Sequence, residues 1–258
     1  TRFYREILKR YPETFPYIAV GNEPNSKTFW DGTYEEYVRL FQTAAKAIHE
    51  TDPTVKVIDG GMASESWGCI AVDRLESGAW ETSDAIAFLR GYYATTRQYQ
   101  KIQTATDAQI TSEYLKNPTN VSECHARRAY FQGLVGHADA VNFHFYEDGA
   151  YLGTVIDYLE ETMQNDGWKD PVIVTNELGN KQKNNADYDV AGQDQARDLR
   201  QKVEYATDRG LPLIIWFSVN GKDSITGGFL STHDRDGTPF EAAREYRRFL
   251  EEQALILK

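Results

Sequence analysis

Apolar residues along the chain concentrate in five short runs separated by longer stretches of mixed character. Four near-continuous runs cover residues 17–20, 55–58, 140–146 and 172–175, and a fifth covers residues 211–219. Short continuous apolar runs are typical of strands that are buried on both faces, as in parallel sheets. The pattern therefore predicts five buried parallel strands.

The stretches between these runs show helical periodicity, with apolar positions recurring every three or four residues. Thr33 followed by Glu36 has the spacing of a capping box, which predicts that a helix begins there. Strands and helices alternate, which is the order of a parallel α/β fold. Helices are predicted at residues 1–10, 34–50, 126–135 and 241–253.

Residues 62–120 interrupt this alternation. A connection of about sixty residues is far longer than the few that usually join a strand to the next helix, and we interpret it as an insertion after the second strand. Its aromatic residues are spread throughout, and it lacks the Pro, Gly and Ser bias of a flexible tether. We expect a partly helical lid over the strand ends.

Composition narrows the class of protein. The 258 residues are 41% hydrophobic, and we expect residues 1–258 to form one domain of barrel size. The net charge of −11 comes without a cluster of Lys and Arg, which argues against nucleic acid and membrane partners and favours a neutral or cationic ligand. No run approaches the roughly 18 apolar residues of a membrane span.

The two cysteines, Cys69 and Cys124, are too few for a disulfide framework. They are also too widely spaced for a metal site of the CxxC type. The sequence leaves open a single bridge between them or two free thiols.

Polar side chains follow the predicted strands where each strand ends. Glu23 follows the first strand and Glu177 follows the fourth. Because the carboxyl ends of parallel strands open on one face, the two carboxylates are expected to meet there. Cleavage of a glycoside with retention needs such a pair about 5 Å apart, with one acid protonating the leaving oxygen and one carboxylate attacking the anomeric carbon.

Four motifs resemble those of clan A glycoside hydrolases, in the same order along the chain. Gly-Asn-Glu-Pro-Asn at 21–25 is similar to the end of the clan's fourth strand, and Val-Thr-Asn-Glu-Leu-Gly at 174–179 to the end of its seventh. The resemblance implies that Glu23 is the acid/base, that Asn22 binds the sugar 2-hydroxyl and that Glu177 is the nucleophile.

Asn-Phe-His-Phe-Tyr at 142–146 is similar to the clan's sixth strand. That likeness implies that His144 and Tyr146 line the sugar subsite and that Tyr146 hydrogen-bonds the nucleophile. Trp216 falls where the eighth strand places a tryptophan that stacks on the sugar. Trp30 and Trp67 are further candidates for stacking, since aromatic faces bind the apolar faces of pyranose rings.

Within the clan, the chain looks most like the β-xylosidase and α-L-iduronidase family. The likeness rests on Phe29-Trp30, on residues 52–57, and on residues 229–249 with an Asp-Gly-Thr-Pro turn at 236–239. Gly21 departs from the pattern, because many relatives have an aromatic residue at that position.

The implied fold is a (β/α)8 TIM barrel, of which this chain shows only the fourth to eighth strands. Five strands cannot close such a barrel and would leave two exposed edges. We therefore expect either a preceding segment of a longer chain or another chain to complete it.

The sequence thus predicts a retaining glycosidase that acts on a β-linked glycoside and needs no metal and no organic cofactor. No second histidine has ligand spacing to His144, which argues against a metal site there. Trp216, Trp30 and Trp67 either stack on sugar or pack in the core. The alternatives are a truncated barrel that binds carbohydrate without cleaving it, and a transglycosylase or endo-glycanase that uses the same glutamates.

Overall fold

A computed structural model describes residues 1–94, 96, 99–180, 188–218, 232–233 and 237–256. Its five strands are parallel and follow the five predicted runs closely. The fifth strand is shorter than predicted, and Val219 at its predicted end lies outside the described residues, as does Asp236 of the predicted turn. The strands are β1 Tyr17–Val20, β2 Lys56–Asp59, β3 Val141–Phe145, β4 Ile173–Leu178 and β5 Ile214–Trp216.

The strands are arranged in sequence order, with β1 paired to β2 and β3 paired to β4 and then β5. Parallel bridges from Ile58 to Ala140 and from Met62 to Phe143 connect the two groups across β2 and β3. Within the described residues, β1 and β5 each keep one unpaired edge, so the five strands do not close a barrel. The α/β class is confirmed, and the barrel is present in part.

Helices cover one face of the strands, and the predicted helices are all present. The helices are α1 Arg2–Arg10, α2 Tyr34–Thr51, α3 Cys69–Glu76, α4 Thr82–Tyr92, α5 Gln100–Thr104, α6 Asp107–Ile110, α7 Pro118–Leu134, α8 Leu152–Asn165, α9 Tyr188–Asp208 and α10 Glu241–Ile256. None of these described helices is both long enough and apolar enough to cross a bilayer.

The helix-covered face contains the main core, in which Val57, Phe143 and Ile173 from the strands pack with Phe41 and Leu159 from the helices. This burial of strand and helix side chains together is what the alternation of apolar runs and periodic stretches predicts.

We call the opposite face of the strands the inner face. It has a smaller apolar cluster. Its buried centre consists of Ile58 of β2, Ala140 directly before β3 and Val174 of β4. The apolar side chains around this centre are only partly buried, and they are Tyr17, Ala19, Val172 and Leu213. The inner face is therefore apolar and incompletely covered.

Helix α2 is fixed to the carboxyl ends of β1 and β2. The predicted capping box is present, since the Glu36 amide donates to the Thr33 side chain and the Glu36 carboxylate accepts from the Thr33 amide at 2.8 Å. From the second turn, the Tyr37 hydroxyl donates to the Val20 carbonyl and accepts from the Gly60 amide at 2.7 Å. One buried tyrosine thus ties together the two strand ends nearest to Glu23.

Residues 62–120 are largely helical and contribute to the main core. The segment begins with a 3-10 helix, Ser64–Gly68, and continues through α3 to α6 and a π-helical turn, Thr111–Leu115. A disulfide joins Cys69 at the start of α3 to Cys124 in α7, which resolves the open alternative in favour of a bridge. Its description as an insertion stays a prediction.

Candidate active site

An irregularity in β4 brings two successive side chains to the same site. Asn142 pairs with Val174, but His144 pairs with Glu177, so β4 has one more residue than β3 over this stretch. An extra residue of this kind, a β-bulge, changes the direction in which the following side chains point. As a result, both Asn176 and Glu177 contact His144.

Glu23 lies in a tight turn after β1. Its φ of 38° is in the left-handed region, which non-glycine residues seldom adopt and which is often found at functional sites. The Glu23 amide donates to the Gly60 carbonyl at 3.1 Å, and its carbonyl accepts from the Ser26 amide at 2.8 Å. The Asn25 side chain accepts from the Ala63 amide at 2.9 Å. These bonds hold the turn against the end of β2.

The two glutamates and His144 form a compact cluster. One carboxylate oxygen of Glu23, one of Glu177 and one ring nitrogen of His144 all lie within 4.8 Å of one another. Nδ1 of His144 is 3.0 Å from Oε1 of Glu23 and 3.3 Å from Oε2 of Glu177. The imidazole is fully buried, while the Glu23 and Glu177 side chains are 15% and 20% exposed. The carboxylates therefore remain accessible above a buried ring.

Tyr146 follows β3 and contacts Glu177. Its hydroxyl donates to Oε2 of Glu177 at 2.6 Å. Burial raises the pKa of Tyr146 far above its ordinary value, and the Glu177 carboxylate adds to the effect. The phenol is thus protonated at neutral pH and stabilises negative charge on Glu177.

Behind the cluster lies a buried polar network that sequence reasoning missed. Asp59, the last residue of β2, is fully buried and accepts from the Asn142 amide at 2.7 Å, from the Gly61 amide at 3.1 Å and from the Tyr130 hydroxyl. Burial raises the pKa of the Asp59 carboxyl. Its position at the end of an apolar run, before two glycines, was the available signal.

A second buried anchor supports the loops that follow β3 and β4. Lys202 of α9 is fully buried, and its amine donates to the Gly179 carbonyl at 2.7 Å. Asp198, which pairs with Lys202, accepts from the Gly149 amide at 3.0 Å. Nothing in the local sequence distinguishes Lys202 from the exposed cations of α9, so this anchor was not predicted.

Two glycines allow the strand ends to approach each other. A Cβ on Gly60 would lie 2.9 Å from the backbone nitrogen of Asn22, and a Cβ on Gly61 would lie 2.5 Å from the His144 ring. Asn22 is partly exposed next to Glu23 in the chain. The absence of side chains at 60 and 61 is what lets β1, β2 and β3 meet at the cluster.

The three candidate tryptophans occupy different environments. Trp216 ends β5, is 6% exposed and pairs with Leu178, next to Glu177. Trp67 is 2% exposed, donates to the His144 carbonyl at 3.0 Å and stacks on Phe131, so it is a core residue.

Trp30 lies away from the two glutamates. It is partly exposed and lines a cavity of about 600 Å³ between α2 and α7, whose walls include neither Glu23 nor Glu177. Its indole nitrogen donates to the Thr33 carbonyl at 2.9 Å. The structure thus places Glu23, His144, Tyr146 and Glu177 together, with Asn22 next to Glu23 in the chain, the Trp216 side chain in the main core and Trp30 apart.

The cluster consists of donors that also bind divalent cations, because carboxylate oxygens and an imidazole nitrogen are common metal ligands. Each of these donors already has a partner within the cluster, since His144 Nδ1 contacts both glutamates and Tyr146 donates to Glu177. Such an arrangement can bind a cation or hold a proton between a base and an acid. A chelator distinguishes the two possibilities, because activity that depends on a bound cation would be lost.

The chain matches no protein-family model. A stretch of 67 residues is 37% identical to a beta-xylosidase of Caldicellulosiruptor saccharolyticus, which covers 24% of this chain and 14% of that protein. The match therefore covers only a small part of that relative.

Solved structures of glycoside hydrolases are similar over almost the whole chain. A glucosidase from Croceicoccus marinus aligns with a TM-score of 0.59 at 12% identity, covering 95% of this chain and 44% of that one. A GH39 beta-xylosidase from Caulobacter crescentus aligns at 0.54 and 17% identity, covering 97% and 45%. Xylanase 10B from Thermotoga petrophila aligns at 0.56 and 13% identity, covering 98% and 64%.

At these identities the likeness establishes the fold. The chain has part of the TIM-barrel architecture of these glycoside hydrolases, and the predicted resemblance to glycoside hydrolases is confirmed at the level of the fold. It spans about half the length of the glucosidase and the GH39 beta-xylosidase, and its described residues contain five strands where the complete fold has eight.

Proposed function

We propose that this chain carries the catalytic centre of a retaining glycoside hydrolase that cleaves a β-linked glycoside. Glu177 is the nucleophile and Glu23 is the acid/base. The proposal extends the shared fold to an activity on the strength of the site itself.

The separation of the two carboxylates supports this proposal most directly. Oxygens of Glu23 and Glu177 lie within 4.8 Å of each other. Retaining enzymes have carboxyl groups about 5 to 5.5 Å apart, whereas inverting enzymes leave about 6.5 to 9.5 Å for a water molecule. The shorter separation favours direct attack by a carboxylate.

The proposed reaction has two steps. An oxygen of Glu177 forms a bond to the anomeric carbon while the bond from that carbon to the leaving oxygen breaks, and Glu23 gives its proton to that oxygen. Water then attacks the anomeric carbon, Glu23 takes the proton of the water, and Glu177 is released as a carboxylate. The chain's own residues supply both the proton and the nucleophile.

Neighbouring residues would orient the sugar and tune the nucleophile. Tyr146 holds the Glu177 oxygen through a bond of 2.6 Å. Asn22 is proposed to bind the sugar 2-hydroxyl, and His144 lies beneath the subsite. Trp216 beside Glu177 is proposed to stack on the ring, and Trp30 would contact only more distant parts of a substrate.

The test is hydrolysis of aryl β-xylosides and β-glucosides, chosen because solved structures of similar fold are named as xylosidases and glucosidases. Glu177→Ala should abolish turnover, and added azide should give a glycosyl azide of inverted configuration, because azide replaces the nucleophile directly. Glu23→Ala should keep activity on substrates with good leaving groups, and azide should then give retained configuration, because it attacks the glycosyl-enzyme. The opposite pattern would exchange the two roles.

Other outcomes identify the alternatives. Binding of xylo- or gluco-oligosaccharides without turnover by the parent would indicate a carbohydrate-binding barrel. Transfer to a sugar acceptor in preference to water would indicate a transglycosylase, and cleavage of internal bonds in polymers would indicate an endo-glycanase. We propose that the reaction needs no metal or organic cofactor, so that EDTA should leave the rate unchanged.

We further propose that another polypeptide segment covers the inner face. The partly exposed side chains of Tyr17, Ala19, Val172 and Leu213 are apolar, and the strands at both sides of this face have unpaired edges within the described residues. Parallel strands with their own inward apolar residues would satisfy both features. Such a segment belongs either to a longer form of this chain or to a second chain.

A further inference from the structure

The amide groups of Asn142 and Asn176 have only one consistent orientation. Oδ1 of Asn142 accepts from the backbone amide of Asn176 at 3.0 Å, and Nδ2 of Asn142 donates to the backbone carbonyl of Asp59 at 3.2 Å. A backbone amide can only donate and a backbone carbonyl can only accept. Two backbone groups therefore fix which end of the Asn142 amide is oxygen.

The orientation of the Asn142 amide determines that of the Asn176 amide, which in turn determines where the His144 ring carries a proton. Nδ2 of Asn142 points at the Asn176 side chain at 2.7 Å, so the Asn176 atom that it meets must be the acceptor oxygen. The same oxygen lies 3.0 Å from Nε2 of His144. Since an amide oxygen only accepts, Nε2 of His144 must carry a proton.

The other ring nitrogen faces two acids. With Nε2 protonated, a neutral ring has a lone pair at Nδ1, and that lone pair would meet carboxylate oxygens of Glu23 at 3.0 Å and Glu177 at 3.3 Å. A proton between Nδ1 and one of the oxygens removes this repulsion. Tyr146 already donates to Glu177, so the shorter contact with Glu23 is where this proton belongs.

We propose that Asn176, oriented by Asn142, is a positioning residue that holds His144 with Nε2 protonated and Nδ1 toward the glutamates, so that the resting site keeps one proton on the His144–Glu23 pair. This is the proton that Glu23 gives to the leaving oxygen. The kinetic part of the inference rests on the proposed function, whereas the protonation of the ring does not.

The groups that face this proton come from all the neighbouring strands. Glu23 follows β1, Tyr146 follows β3 and Glu177 lies in β4. Asp59 at the end of β2 contacts Asn142 and is separated from His144 by the side chains of Asn142 and Asn176. His144 itself is fully buried, whereas Asn176 is partly exposed.

The first test is direct observation of the ring in the unmodified chain. Nitrogen NMR of protein labelled with 15N-histidine distinguishes protonated from unprotonated ring nitrogens. The signals of the other histidines are assigned by replacing His49, His125, His137 and His233 with glutamine one at a time. We expect His144 to show a protonated Nε2 at neutral pH, and an unprotonated Nε2 would overturn the proposal.

The second test compares two substitutions of Asn176. Asn176→Ala removes the acceptor, so the ring should sample the tautomer protonated at Nδ1, and kcat should fall about tenfold or more with a smaller change in KM. Asn176→Asp keeps the acceptor and adds negative charge, so it should keep Nε2 protonated and move the alkaline limb of the pH profile to higher pH.

An Asn176→Ala variant with unchanged tautomer and unchanged kcat would sink the proposal. If that variant does not fold, the spectrum of the parent and the pH profile of Asn176→Asp decide the question. A parent that shows the expected ring protonation but cleaves no glycoside would refute the proposed function and leave the positioning role standing.

Discussion

At the scale of single residues, Gly61 is a position where the site has no room for a side chain. A Cβ there would lie 2.5 Å from the His144 ring and 2.8 Å from the Asn142 side chain. We expect Gly61→Ala to displace His144 and to lower kcat at least about tenfold, because the two glutamates would lose the group that lies between them. Steady-state kinetics on an aryl glycoside measure this effect.

Gly78 provides the matched control. It has the same φ as Gly61, 73°, but a Cβ there would meet no atom within 4 Å. Gly78→Ala should therefore carry only the backbone cost of about 1 kcal/mol in unfolding free energy, with kcat unchanged. Equal losses of kcat in the two variants would show that backbone strain, and not contact with His144, is the cause.

Tyr146 offers a second prediction at this scale. Tyr146→Phe removes the donor to Glu177 while keeping the ring. A hydrogen bond to a charged group contributes about 1.5 to 3 kcal/mol, so we expect kcat/KM to fall roughly 10- to 100-fold. The buried Tyr158, whose hydroxyl donates to Asp73 in a similar pair away from the site, is the control. Tyr158→Phe should cost stability and leave kcat/KM intact.

At the scale of elements, the disulfide between α3 and α7 is the main covalent constraint on residues 62–120. It links Cys69 and Cys124 across a sequence separation of 55. Closing a loop of that length stabilises the fold by about 4 kcal/mol in the chain-entropy treatment. The double variant Cys69→Ala/Cys124→Ala should therefore unfold at a clearly lower urea concentration than the parent.

Reductant provides the control for that measurement. The parent should lose stability when the bridge is reduced, and the double variant should be insensitive to the same treatment. Arg127 donates to both Cys69 and the Ser66 carbonyl, and the Asn25 side chain donates to the Ser66 hydroxyl. Loss of the disulfide should therefore also destabilise the turn that contains Asn25. Identical midpoints for parent and variant would mean that packing alone holds these helices together.

The five strands and four of the ten described helices could be predicted from sequence. Burial on both faces leaves a continuous apolar run, and a helix covered on one side leaves a periodic one. The run at 17–20 matches β1 to the residue. The β4 bulge could not be predicted, because one extra residue leaves no mark in an apolar run. Yet that bulge is what gives both Asn176 and Glu177 contact with His144.

The candidate site was predictable where polar residues stand at strand ends. Glu23 and Glu177 were found that way, His144 and Tyr146 were found through the resemblance of residues 142–146 to a known strand, and the structure brings the four together. The supporting groups were not found, because Lys202 and Tyr130 reach the site from helices that are distant in sequence. Their roles depend on tertiary contacts that local patterns do not contain.

At the scale of the whole molecule, the incomplete cover of the inner face decides how the chain behaves alone. Leu213 lies on the inner face, directly before β5, and is only partly buried in the cluster that contains Val174. An apolar surface of this kind binds hydrophobic dyes and promotes association unless another segment covers it. The 258-residue chain by itself should therefore bind such a dye and associate as its concentration rises.

Replacing Leu213 with glutamate tests whether the inner face is responsible. Leu213→Glu should lower the fluorescence of bound dye by roughly half or more and shift sedimentation toward the monomer. A charge on the inner face opposes both dye binding and association of the chain. Leu250 of α10 is 50% exposed on the outside of the molecule, so Leu250→Glu is the matched control and should change neither signal. If the two variants behave alike, the exposed surface lies elsewhere and no additional strands are needed to cover this face.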